Sequence, residues 1–367
     1  MASVDFQNIN IYNVSGVQQK KVPDKTVSIP AETAPKPAFK ADAYTSAVTV
    51  RTSLTTRDEK KKYEELSNEL DLKYRKKLEF ALKSGLLLKN NSNDRSSVLD
   101  NLHKIITEER DPGLDKINVL QECLDILANP YVITQTCEDI PAQYKRQVIG
   151  LMTNLSENPK EIAEAKWELE NMHTGTCPAA SIEFDLATKH TAEFFRMVEG
   201  LTSPNNEVVK TIKMDSLSDK SSEAIWLLTK FKTPHQMNDF NTATVLLKPD
   251  EHAIIRARIQ NHYKDPGERS IIDVLMQSTL MQVGSQQSYN TLTDKRQGKF
   301  NQNDKGLIEF EKTFTESVVE DKNKISVTYQ TVDENAKLIG YETDMATLKR
   351  HLTESLERGE NVIIGYT

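Results

Sequence analysis

Residues 171–181 read Asn171-Met172-His173-Thr174-Gly175-Thr176-Cys177-Pro178-Ala179-Ala180-Ser181. A glycine and a small residue lead straight into a cysteine, and the cysteine opens a segment that reads as a helix through Phe184 toward Leu186. A helix N-terminus offers backbone N–H groups and the positive end of the helix dipole. That placement lowers a thiol's pKa and favours the thiolate, the form that attacks carbonyl carbon. Pro178 suits the first helical turn, where a missing N–H leaves nothing unsatisfied. Cys177 is therefore the candidate nucleophile. Of the other two cysteines, Cys123 sits beside Leu120, Leu124 and Leu127 and reads as a small buried hydrophobe. Cys137 follows a Thr-containing stretch with no evident partner. Three cysteines at these spacings make neither a disulfide framework nor a zinc site.

Downstream, the texture is mixed. Phe194, Phe195 and Val198 mark a helix that stops at Gly200. Thr242–Leu247 and Ala253–Ile259 have strand-like content, the second also compatible with a helix. Ile271–Val283 reads as an amphipathic helix capped by Gly284, and Ile325–Tyr329 alternates as a strand. Met345, Leu348, Leu352 and Leu356 share one helical face that ends at Arg358-Gly359. Val362-Ile363-Ile364 then predicts a buried strand, and an apolar run so close to Thr367 predicts a domain that continues further.

Upstream, Tyr63, Leu66, Leu70, Tyr74, Leu78 and Leu82 recur at three- and four-residue steps, and Ser84-Gly85 supplies a stop. A second helix carries Val98, Leu99, Leu102, Ile105 and Ile106. Asp111-Pro112-Gly113 makes a turn, and a third helix carries Ile117, Leu120, Leu124 and Leu127 up to Asn129-Pro130. Further helices are expected near 142–153 and 159–170. Residues 1–55 hold Pro23, Pro30, Pro35 and Pro37 without apolar periodicity, the composition of a disordered tail or linker. The expected organisation is a tail (1–55), a helical accessory or prosegment-like region (56–165) and a mixed α+β domain (166–367).

The segment around Cys177 resembles the nucleophile segment of the papain-like cysteine peptidases, calpain-like members included. Gly175, Thr176 and Cys177 fill the places of the Gly, small residue and Cys that enter the family's central helix. Asn171 stands where the family has its oxyanion-hole Gln, and Pro178 where it usually has Trp. The helix Arg269 to Ser278, with Gly284 and Ser288-Tyr289 after it, is similar to the family's second helix, which ends in a Gly and a Ser-Tyr. Leu348 to Tyr366 resembles the helix, Gly and apolar strand that precede the catalytic His. The resemblance covers roughly residues 165 to 367. It implies a helix-rich α+β papain-like fold, incomplete at its C-terminus, with Cys177 as nucleophile and Asn171 as an oxyanion-hole donor. It also implies a cysteine-type peptidase acting on peptide or isopeptide bonds, without cofactor or metal.

The general base is not found in this chain. Such an enzyme needs a His to take the thiol proton, about 130–150 residues after the Cys in papain-type enzymes. His351 lies inside a helix and His173 in the loop before Cys177, whereas His252 leads an apolar run but comes early. The catalytic His is expected beyond Thr367, so the chain as given is expected to be inactive. The alternative class is a non-catalytic helical interaction, scaffold or effector protein.

The partner that the resemblance implies is a protein or peptide substrate, and composition speaks against nucleic acid and membrane. The net charge of −7 provides no basic footprint for nucleic acid. The Lys60-Lys61-Lys62 run is followed by Glu64 and Glu65 and reads as a solvated helix face. No apolar run approaches the ~18–20 residues needed to span a bilayer, and residues 1–15 lack a signal-peptide pattern. The expected compartment is cytoplasmic, or extracellular by a route without a cleavable signal. No Gly-rich phosphate loop, metal-binding His pair or distinguished carboxylate pair is present in the sequence.

Overall fold

The computed structural model describes residues 50–133, 175–264, 269–291, 294–296, 306–332 and 337–364. Four helices open the described chain: α1 (Arg57–Glu69), α2 (Leu72–Lys83), α3 (Val98–Thr107) and α4 (Lys116–Ala128). Local chemistry sets their ends. Thr56 Oγ1 accepts from the Glu59 N–H at 3.0 Å while Glu59 Oε2 accepts from the Thr56 N–H at 3.1 Å, a capping box. Ser97 and Asp100 make the same reciprocal pair at the start of α3.

The continuous periodicity from Tyr63 to Leu82 predicts one helix, but the structure has two. Leu70 is extended, and Asp71 accepts from the Tyr74 N–H at 3.0 Å. An Asx cap of this kind begins a new helix and breaks the old one, while the apolar residues keep their common face.

The remainder is α+β, as expected, and its helices dominate. α5 (Cys177–Lys189) and α6 (Thr191–Leu201) lead into β1 (Val208–Lys213), α7 (Ser221–Lys230), β2 (His235–Met237) and β3 (Thr242–Leu247). Next come α8 (Glu251–Tyr263), α9 (Ile271–Gly284), the two-residue strands β4 (Tyr289–Asn290) and β5 (Lys295–Arg296), and α10 (Glu309–Glu320). The last elements are β6 (Gln330–Val332), β7 (Leu338–Tyr341) and α11 (Met345–Glu357). The largest sheet is antiparallel in the order β1-β3-β2, with Val208 opposite Leu247 and His235 opposite Val245. Burial alternates along β1, so one face packs inward and the other is solvated.

α9 organises the core. All fourteen of its residues are buried, and it packs against α4, α5, α6, α8 and α10. The expected amphipathic helix is thus buried on every side. Each of its large apolar side chains is worth about 1.5–3 kcal/mol by burial. Gly284 permits the close approach of α10: a Cβ there would sit 2.7 Å from both Leu307 Cδ2 and Thr315 Oγ1.

α1–α4 share this core. Polar contacts reinforce the junction. Arg258 binds both oxygens of Asp111 at 2.7 Å, and Arg110 Nη1 donates to the Glu199 carbonyl at 2.6 Å. The side chain of Asn93 acts as a surrogate strand on the edge of β1. Its Nδ2 donates to the Thr211 carbonyl at 2.6 Å, and its Oδ1 accepts from the Thr211 N–H at 2.9 Å. Edge-strand groups are thereby satisfied without another strand.

Glu122 of α4 closes the start of α9 by accepting from the N–H groups of Ile271 and Ile272 at 3.3 and 3.2 Å. Burial pushes its carboxyl up to about 8, against the pull of those two N–H groups. The folded value lies above the unfolded one, so the stabilisation is complete below pH 4.5 and is lost as pH rises toward 8. Unfolding free energy, measured by urea titration, is expected to fall by roughly 3–5 kcal/mol across that window through this residue. In Glu122→Gln the difference from wild type should show this slope removed.

One open alternative is settled and two strand expectations are corrected. Ala253–Ile259 is helical, within α8, because Asp250 caps the helix through the His252 N–H at 3.1 Å and Lys264 ends it in the left-handed region. Ile325–Tyr329 is not a strand; pairing starts where the Tyr329 carbonyl accepts from the Glu342 N–H at 3.1 Å, and the strand begins at Gln330, opposite Tyr341 of β7. Val362-Ile363-Ile364 is neither a strand nor buried, with Ile364 69% exposed and only Ile363 packed against the core. In each case, local apolar content could not reveal whether a ladder partner was present. The expected helices near 142–153 and 159–170, and nearly all of the expected tail, lie outside the described residues.

Candidate active site

Cys177 is the first residue of α5, a helix of 13 residues. Gly175 and Thr176 are buried behind it, and Thr176 makes no side-chain cap bond to the helix. Gly306 presses on this turn: a Cβ there would lie 3.0 Å from the Gly175 carbonyl oxygen and 3.5 Å from Pro178 Cγ. The entry to α5 is therefore held by backbone packing from a distant loop, a closeness that glycine allows.

The helix divides cleanly. Ala179, Ala180, Ile182, Leu186 and Ala187 face the core, where the two alanines allow tight packing. Cys177, Ser181, Phe184 and Thr188, spaced by four, three and four, form a half-exposed stripe. Ser181 Oγ donates to the Cys177 carbonyl at 3.0 Å. The Phe184 ring lies 5.3 Å from that of Tyr131, which is 81% exposed. Cys177 is thus placed near solvent at a positive helix end. Cys123 is fully buried, as expected, and burial pushes its thiol well up, so it is protonated and inert.

The oxidation state was not legible in the sequence. Cys177 is disulfide-bonded, and Cys123 is the free cysteine among the described residues. Three cysteines make no disulfide framework, yet one bridge forms, because sequence spacing does not report spatial proximity. A disulfide sulfur is an electrophile and not a nucleophile, so the chemistry expected of Cys177 belongs to the reduced form.

The described histidines are engaged as follows. His103 contacts Glu65 at 2.6 Å, and His190 contacts Glu320 at 3.3 Å. His252 Nδ1 lies 3.3 Å from Asp250 Oδ2, and this hydrogen bond holds the imidazole above its ordinary value. His235 contacts the Thr233 carbonyl, His262 packs edge-on against Tyr263, and His351 lies beside Arg350 on the surface of α11. Asn171 and His173 lie outside the described residues, as does Cys137.

Sequence reading missed the charged groups beneath this helix. Glu183 is fully buried, and it accepts from Gln277 Nε2 at 3.0 Å. Burial and the nearby Asp273 push it well up, so it holds a proton. Asp185 and Glu320 form a second group at the far end of α5. The acidic residues looked alike in sequence because their distinguishing property, loss of water, comes only from tertiary packing.

No described residues form a cluster of three metal-ligating side chains, and no described helix is long and apolar enough to cross a membrane. No protein-family description, curated protein or solved structure matches the chain.

Proposed function

We propose that the chain belongs to a cysteine-type peptidase that cleaves peptide or isopeptide bonds through Cys177 in its reduced form. The observation that carries this reading is the half-exposed Cys177 at the first position of a buried helix. The N-terminal helix charge stabilises its thiolate. The thiolate attacks the carbonyl carbon, and the carbonyl oxygen becomes an oxyanion facing the Cys177 backbone N–H, with Asn171 the further donor that the resemblance implies. The C–N bond breaks, the amine leaves with a proton, and water hydrolyses the thioester to regenerate the thiol. A histidine base is required to take the thiol proton and hand it to the leaving amine.

The test is cleavage of a proteome-derived peptide mixture by the full-length gene product, read by mass spectrometry with and without a thiol reductant. Cleavage is expected in the reduced protein and should fall at least ~1,000-fold in Cys177→Ala. Undiminished cleavage by that variant would sink the assignment.

A second reading, a non-catalytic interaction protein, is favoured by a different observation. Leu338, Ile339 and Tyr341 of β7 and Leu356 of α11 are exposed apolar side chains, a composition that suits partner binding.

A further inference from the structure

The β6–β7 hairpin and the start of α11 form an open cavity to which no residue of α5 contributes. Its volume is about 570 Å³, and it is lined by Tyr329, Tyr341, Glu342, Thr343, Asp344 and Met345. That volume falls within the ~300–1,000 Å³ of pockets that hold organic ligands.

The hairpin fixes the walls. Gln330 stands opposite Tyr341, and one step outward the Glu342 N–H donates to the Tyr329 carbonyl at 3.1 Å. The Tyr329 and Tyr341 rings lie 5.2 Å apart, their planes tilted by 54°. Thr331 Oγ1 donates to Glu342 Oε1 at 2.6 Å and steadies that carboxylate. Among the described residues, Glu342 Oε2 and the two tyrosine hydroxyls have no hydrogen-bond partner. Asp344 caps α11, with its oxygens accepting from the Thr347 N–H at 2.9 Å and the Thr347 hydroxyl at 2.8 Å. Those bonds hold its carboxyl below the ordinary value, and its charge balances the positive end of the helix. Glu342 therefore supplies the net charge of the cavity.

This lining selects its guest. It carries two carboxylates and no lysine or arginine, so an anion is repelled. Tyrosine faces attract a cation lying within about 6 Å of the ring centroid. Among organic cations a guanidinium matches both features at once. It is planar and stacks on rings, its N–H fork meets a carboxylate, and it is more weakly hydrated than an ammonium. Met345, 44% exposed, offers a soft apolar surface for the methylene stem of such a side chain.

We propose that this cavity recognises an arginine side chain presented by a partner protein, its guanidinium lying against the Tyr329–Tyr341 pair and paired with Glu342. The cavity exceeds one side chain, which leaves room for the residues on either side of the arginine. The site uses no property of Cys177, so it stands or falls apart from the peptidase reading.

Titration of the isotope-labelled full chain with the peptide acetyl-Ala-Arg-Ala-amide at low ionic strength, followed by amide chemical shifts, tests the site. Saturable shifts are expected in 329–331 and 341–346, with α9 unmoved. The same peptide with citrulline in place of arginine keeps the shape and loses the charge. It should bind about tenfold more weakly, because the ring attraction and the ion pair are both lost. Glu342→Gln keeps an acceptor for Thr331, and Tyr341→Leu keeps an apolar side chain. Each should weaken the arginine peptide about threefold, the scale of one exposed interaction. Unchanged α9 shifts verify that each variant is folded, and the two peptides on wild type decide without any variant. Arginine and citrulline peptides that bind alike overturn the proposal, as does the absence of saturable shifts or their appearance elsewhere. A lysine peptide that binds as tightly overturns the choice of guanidinium. Free arginine that binds more tightly than the peptide overturns the protein partner in favour of a small guanidinium compound.

Discussion

Asp294→Ala is expected to lower the unfolding free energy by about 3–5 kcal/mol, the range for breaking a buried ion pair by removing one partner. Asp294 is fully buried, and Arg269 Nη2 reaches its two oxygens at 2.7 and 2.8 Å. Arg256 Nη1 approaches at 3.3 Å, and the Tyr289 hydroxyl donates to Oδ1. Burial pushes this carboxyl up, but the guanidiniums of Arg269 and Arg256 outweigh it and hold it below its ordinary value. Truncation would take from two buried cations and a phenol beside α9 the carboxylate that they share. The loss arises mainly from those groups, because the intact cluster has already given up its hydration. Urea denaturation followed by far-UV circular dichroism measures it. A loss below about 1 kcal/mol would mean that water reaches the cluster and screens it.

Cys177 is expected to resist a cysteine-directed electrophile until the protein is reduced, and then to become the fastest-labelled cysteine by at least about 100-fold over Cys123. The contrast follows from burial. Cys123 is sealed in the core with its thiol pushed well up, whereas Cys177 is half-exposed at a helix N-terminus. Site-mapped mass spectrometry across pH provides the readout. Rapid labelling of reduced Cys177 well below pH ~8.5, the free-thiol value, would establish an activated thiolate. Labelling no faster than that of Cys123 would remove the nucleophile and leave the interaction reading.

The sequence by itself determined the helices with strong caps and periodic faces. α3 and α4 lie where Val98–Ile106 and Ile117–Leu127 predict them. These features depend on bonds within a few residues, so the local chain specifies them. α10 and β1 were not legible, since their packing faces mix apolar residues with Glu, Lys, Ser and Thr. Asn93 could not be seen as a surrogate strand, because its partner Thr211 is 118 residues away.

Only the tertiary structure decided the rest. It made α9 buried on all sides, left Val362 and Ile364 exposed, and oxidised the cysteine that sequence had marked as a nucleophile. It also separated the carboxylates. Burial raises Glu122 and Asp185, whereas the cations beside Asp294 and Glu320 lower those two. Hydrophobic spacing is a property of neighbours along the chain, but desolvation, ion pairing and disulfide formation are properties of neighbours in space.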